Sequence, residues 1–103
     1  MNLNEYQDKS FATSLPQCRN LNYMILGLCN EAGEVAGKLK KSLRGDGQLE
    51  RDKLISELGD VLWYLAGAAS VKGIRLSEIA RVNIHKIKDR ISNNTLQGDG
   101  DNR

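Results

Sequence analysis

Apolar residues recur along most of this chain at steps of three and four, the spacing of one helix face. Leu21, Ile25, Leu28, Ala32, Val35 and Leu39 form such a seam and predict a long helix over 21–43. A second seam, Leu54, Leu58, Val61, Leu65 and Ala69, predicts another over about 49–72. Trp63 and Tyr64 fall off that seam, so this helix is apolar on more than one side and has a second packing surface. Ile79, Val82, Ile84, Ile87 and Ile91 mark a last helix over about 77–92. A short first helix is expected over 4–13, packing through Tyr6, Phe11 and Ala12 and ended by Pro16, which disfavours helix at Leu15. Asn20 is placed to cap the second helix, and Gly45-Asp46-Gly47 and Lys72-Gly73 supply stops. No strand pattern and no internal repeat is visible. The expectation is an all-α, antiparallel four-helix-bundle-like domain over 1–92, followed by a polar Gly/Asp/Asn tail over 93–103 that could close over a ligand.

The length of 103 residues suits one domain, and an elongated helical chain of this size often completes its core by association. With 40% hydrophobic residues and one proline, composition favours helices over disorder. A net charge of +2 argues against a dedicated nucleic-acid binder. Cys18 and Cys29 form no CxxC motif and read as small, reduced core residues. No signal peptide is visible, and the longest apolar run, Val61 to Ala69, falls far short of a membrane span. These features predict a soluble, cytoplasmic protein with no membrane partner.

Two acidic words interrupt the seams. Glu31-Ala32-Gly33-Glu34 and Glu57-Leu58-Gly59-Asp60 each set two carboxylates three residues apart, on one helix face. The intervening stretch, 35–56, is long enough to finish one helix, turn and return antiparallel, so all four acids could converge. Each word lies in an apolar region, where an unpaired carboxylate is costly. Each also holds a mid-helix glycine, Gly33 or Gly59, at about 1 kcal/mol against alanine. Close approach of a neighbouring helix or a ligand would offset that cost.

Two arrangements answer the charge. One is interhelix salt bridging to lysines such as Lys38 or Lys86. The other is a metal ion. Neither word contains histidine, the chain's single one being His85, and all-oxygen ligation points to Mg²⁺ or Mn²⁺ rather than zinc or a di-iron pair. Mg²⁺ commonly takes its remaining ligands from substrate phosphates, which makes a nucleotide the natural partner. Asn83, Lys86 and Arg90 share a face of the last helix and could bind phosphate, or form an ordinary solvated basic face. Gln7, Phe11 and Trp63 are candidate base contacts, and Arg103 in the tail is a further candidate for the substrate.

This layout resembles the signature of the MazG-like nucleotide pyrophosphatases, within the all-α NTP pyrophosphatase superfamily. The two acidic words read like the family's metal-binding words. Asn83, Lys86 and Arg90 look like its basic word, Tyr6-Gln7 and Thr13 resemble its opening helix, and the Gly-Asp-Gly-Asp-Asn-Arg ending is similar to that of small single-domain members. The resemblance implies Mg²⁺-dependent hydrolysis of a nucleoside triphosphate to monophosphate and pyrophosphate, in housekeeping of the nucleotide pool. It implies that Glu31, Glu34, Glu57 and Asp60 hold metal, one of them also orienting or deprotonating water. Lys86 and Arg90 would stabilise developing charge, and Asn83 would assist binding. It also implies sites built at subunit contacts of a homodimer or homotetramer. The competing readings are a non-enzymatic helical adaptor, a nucleic-acid binder using the last helix and tail, and the same fold acting on another phosphorylated nucleotide.

Overall fold

A computed structural model describes residues 1–93, and the tail with Arg103 lies outside the described residues. Among the described residues the fold is all helical: α1 (Leu3–Ala12), α2 (Leu21–Leu43), α3 (Arg51–Val71) and α4 (Leu76–Ser92), with a short 3-10 turn at Pro16–Cys18. The long helices start and stop where local chemistry directs. Asn20 caps α2 by accepting from the Tyr23 N–H at 2.8 Å. Gly45 ends α2 at φ +87°, and the Asp46 N–H then reaches back to the Lys41 carbonyl. Gly73 does the same for α3 at φ +68°, with the Ile74 N–H on the Ala69 carbonyl. A left-handed residue at each place closes orphaned carbonyls that a side chain with a Cβ would leave strained.

α2 and α3 form the dominant antiparallel hairpin, α1 packs on α3, and α4 leans on α1. Among the described residues the buried apolar core is small: Met24, Ala66, Ala68, Ala69 and Leu76. Tyr6, Leu65 and Ile79 pack around the Ala66–Ala69–Leu76 cluster where α1, α3 and α4 meet. By length and composition α3 could cross a bilayer, but it runs between α1 and α2 here and carries Glu57 and Asp60 midway.

The hairpin seam is rotated by one residue from the pattern expected on α2. Met24 lies against Gly67, Gly27 against the Tyr64 ring, and Lys38 against Glu57. The contact line therefore runs Met24, Gly27, Glu31, Lys38, and Ile25 and Leu39 stay 42% and 47% exposed. One residue is about 100° of helix rotation. The two glycines explain the choice: a Cβ at Gly27 would stand 2.1 Å from the Tyr64 ring, and one at Gly67 would stand 2.5 Å from the Met24 sulfur. Gly33 and Gly59, by contrast, have no neighbour among the described residues within 4 Å of an added Cβ, so none of the four helices closes on them. Cys29 is exposed rather than in the core, because it lies on the side of α2 turned from α3, while Cys18 is half-buried.

α1 packs through Tyr6, Gln7 and Ser10, and Ala12 is exposed. Its polar side chains cap α4 from across the fold. The Gln7 carbonyl oxygen accepts from the Leu76 N–H at 2.8 Å, and the Asn4 oxygen accepts from the Ser77 N–H at 3.1 Å. Arg75 closes the junction on both Asp8 carboxylate oxygens and the Asn4 carbonyl.

Candidate active site

The rotated seam turns Glu31 toward α3, where it meets half-buried Glu57 and exposed Asp60. Carboxylate oxygens of Glu31, Glu57 and Asp60 lie within 4.8 Å of one another. Glu34 is not in that trio; it stands beside Glu31, one turn along, and is exposed. Glu31 Oε2 and Glu57 Oε2 are shielded from solvent and have no hydrogen-bond partner among the described residues. Loss of hydration pushes the Glu31 carboxyl above its ordinary range, and the charges of Glu34, Asp60 and Glu57 add to the effect. Shielded, unsatisfied carboxylate oxygens at this separation suit a hard divalent cation, and the donor set, all oxygen, fits Mg²⁺ or Mn²⁺.

The salt-bridging arrangement is present too. Lys38 donates to Glu57 Oε1, and that hydrogen bond, aided by the surrounding acids, raises the Lys38 pKa. Lys86 lies elsewhere, in a groove on α4.

Beside the acids is a hollow of about 300 Å³ lined by Glu31, Asp60, Trp63 and Tyr64. The two rings meet edge to face at 4.9 Å. The Trp63 indole N–H donates to Thr13 Oγ1 at 3.0 Å, which ties the ring to the end of α1. Tyr64 is held in the gap left by Gly27. Apolar ring faces next to carboxylates can take a base and a metal-linked phosphate together. Sequence reasoning placed Tyr64 on a second packing surface rather than beside the acids, and passed over Gly27; a glycine at mid-helix in α2 opposite a large ring in α3 was the available signal.

The other candidates fall elsewhere. Gln7 is a correction: it is 1% exposed, and its amide protons go to Ser70 Oγ and the Ile74 carbonyl. It is a buried tie between α1 and the α3–α4 turn, not a group facing a ligand. Phe11 is covered by the Arg19 guanidinium, 4.8 Å from its centroid. Asn83 and Lys86 line a groove of about 310 Å³ with Ile74, Glu78, Ile79 and Val82, apart from the acidic hollow. Asn83 is exposed, Lys86 half-buried and Arg90 buried, so the three do not share one solvated face. His85 is exposed and outside the acidic trio.

No solved structure matches the chain significantly. The "Gene 37 protein" of Mycobacterium phage L5 is 46% identical over 87 residues, covering 81% of this chain and 76% of that protein. The family model of the MazG nucleotide pyrophosphohydrolase domain matches residues 19–94, a span that takes in both acidic words and all of α4. With the acids converging from two helices of an all-α fold, and the match extending over most of the sequence, this chain belongs to the MazG nucleotide pyrophosphohydrolase domain family.

Proposed function

We propose that this chain is an Mg²⁺-dependent nucleoside triphosphate pyrophosphohydrolase, cutting (d)NTP to (d)NMP and pyrophosphate in upkeep of the cytoplasmic nucleotide pool. Membership of a nucleotide pyrophosphohydrolase family supports the reaction class. The observation that carries the reading is the pair of shielded, partnerless carboxylate oxygens on Glu31 and Glu57 beside Asp60. In this reading Glu31, Glu57 and Asp60 hold the ion, which supplies positive charge to polarise the phosphoryl group and activate water. Glu34, adjacent to Glu31, orients the attacking water or takes its proton. Trp63 and Tyr64 bind the base in the neighbouring hollow.

The reading also includes a homo-oligomer, a dimer or a tetramer. It is supported by the small core and by the apolar residues left on α2 and α3, with Leu26 70%, Ile55 53% and Leu58 50% exposed. Asn83, Lys86 and Arg90 then act on the phosphates at a subunit contact, since in the single chain Asn83 and Lys86 line a different groove.

The test is pyrophosphate release from a panel of NTPs and dNTPs with Mg²⁺, beside Glu57→Ala. Monophosphate and pyrophosphate should appear with Mg²⁺ and disappear in the variant. A folded wild type inert on every nucleotide with Mg²⁺ or Mn²⁺ would sink the assignment and favour another phosphorylated substrate.

A further inference from the structure

Lys38 belongs to two features at once. Its ammonium pairs with Glu57 at the acidic trio. Its side chain also lines a hollow of about 430 Å³ under the α2–α3 turn, where Lys41 and Lys53 join it. Asp46 and Glu50 share that hollow, and Asp46 is paired with Arg44. Lys38 follows Glu31 by two helical turns on the inward stripe of α2, so the hairpin itself delivers this cation to the acids.

An ammonium and a divalent ion compete for the same carboxylate. Their like charges repel at contact distance, so filling the trio drives Lys38 away from Glu57. Lysine suits such an exchange: it is a point charge on a flexible stem, and here its side chain is 44% exposed. The hollow it already lines offers a destination. There its charge would join those of Lys41 and Lys53, with Asp46 and Glu50 on the same wall.

We propose that Lys38 is an exchangeable counter-cation, which neutralises Glu57 in the metal-free protein, yields to the divalent ion, and then holds the pyrophosphate end of the substrate in the Lys41–Lys53 hollow. The proposal rests on the metal reading above. It adds a residue, and a location for the leaving group, that the acidic and basic words do not contain.

Mn²⁺ binding to the full chain, followed by electron paramagnetic resonance of the free ion, tests the exchange. Wild type, Lys38→Gln, Lys40→Gln and Glu57→Gln are compared. Lys40 carries the same charge nearby on another face of α2, so it controls for net charge. Lys38→Gln should bind Mn²⁺ about two- to fivefold more tightly, the range for releasing a partly exposed ion pair, and Lys40→Gln should match wild type. Glu57→Gln should lose binding. Inorganic pyrophosphate, titrated calorimetrically in the presence of Mg²⁺, should bind Lys38→Gln several-fold more weakly than wild type. Equal Mn²⁺ affinity in Lys38→Gln and wild type overturns the counter-cation role while leaving the metal site standing on the Glu57→Gln result. Undiminished pyrophosphate binding overturns the leaving-group role. A wild type that takes up no Mn²⁺ removes the metal reading and the proposal together.

Discussion

Glu31 on α2 and Glu57 on α3 face each other across the hairpin, each keeping one carboxylate oxygen out of water and without a hydrogen-bond partner among the described residues. Stability and activity are therefore opposed at this point. Glu31→Gln removes a charge that its neighbours repel, so it should raise the melting temperature of the metal-free protein. It should also remove the further rise given by Mg²⁺, and lower pyrophosphate release on the order of a hundredfold or more. Thermal melts with and without Mg²⁺, beside an activity assay, check all three.

The same residue sets a pH dependence. The Glu31 pKa is raised above its ordinary value of 4.5. Between that value and the raised one, the folded chain keeps a proton that the unfolded chain has released. Its contribution is full below the ordinary value and is lost as pH rises through the folded value. Asp8 acts oppositely. The Arg75 hydrogen bond lowers its pKa, so its contribution is present above the ordinary value and lost as pH falls through the folded one. In chelator, stability should decline as pH rises through the Glu31 window, and Mg²⁺ should suppress that decline. Urea melts across a pH series read both limbs.

Gln7→Leu should destabilise the fold by about 2–4 kcal/mol. It leaves the Leu76 N–H and the Ile74 carbonyl without their partner, at about 1–3 kcal/mol for each buried group. The KM of the surviving folded enzyme should not move, because Gln7 does not face the hollow. A changed KM with unchanged stability would return Gln7 to the substrate.

The helical glycines divide into two kinds. Gly27→Ala pushes a methyl group into the Tyr64 ring and should cost about 1–3 kcal/mol. Gly33→Ala meets nothing among the described residues and should gain up to about 1 kcal/mol in the isolated subunit. If a second copy packs on Gly33, the gain turns into a loss that grows with protein concentration. Denaturant melts at two concentrations separate these outcomes.

Much of the architecture was readable because it depends on local chemistry. Asn20, Gly45 and Gly73 set helix ends in the residues around them, and the observed helices begin and end within a residue or two of the expected ranges. The convergence of Glu31, Glu57 and Asp60 followed from two i,i+3 words on an antiparallel pair. What the pattern missed is set by shape across the interface. Ile25 and Leu39 match a helical period as well as Met24 and Lys38 do, and the fit of Tyr64 over Gly27 and of Met24 over Gly67 decides which face turns inward. Gln7 failed for a related reason. A polar residue on a short helix looks available until the α3–α4 turn arrives to use it.

If the phosphate-binding residues of α4 act across a subunit contact, Glu57→Ala and Lys86→Ala should each be inactive alone. Mixed and reassembled, they should recover activity, since some sites then hold an intact acidic trio beside an intact α4. Recovery by mixing, with sedimentation to establish mixed oligomers, supports the shared site. Mixed oligomers that stay inactive would place Lys86 and Glu57 in the same subunit's site.

The α2–α3 hairpin also bears on the order in which this chain folds. Its contacts join segments linked by one short turn, so its loop-closure entropy is low and it can form before α1 or α4 docks. Closing it gathers the acids at a stage when little else covers them. Lys38 travels on the same segment and reaches Glu57 in the same event, so the repulsion among these acids is offset from within the folding unit that creates it. Docking of the flanking helices is then left with apolar contacts, end caps and the Arg75–Asp8 pair, and carries none of the cost of gathering like charges.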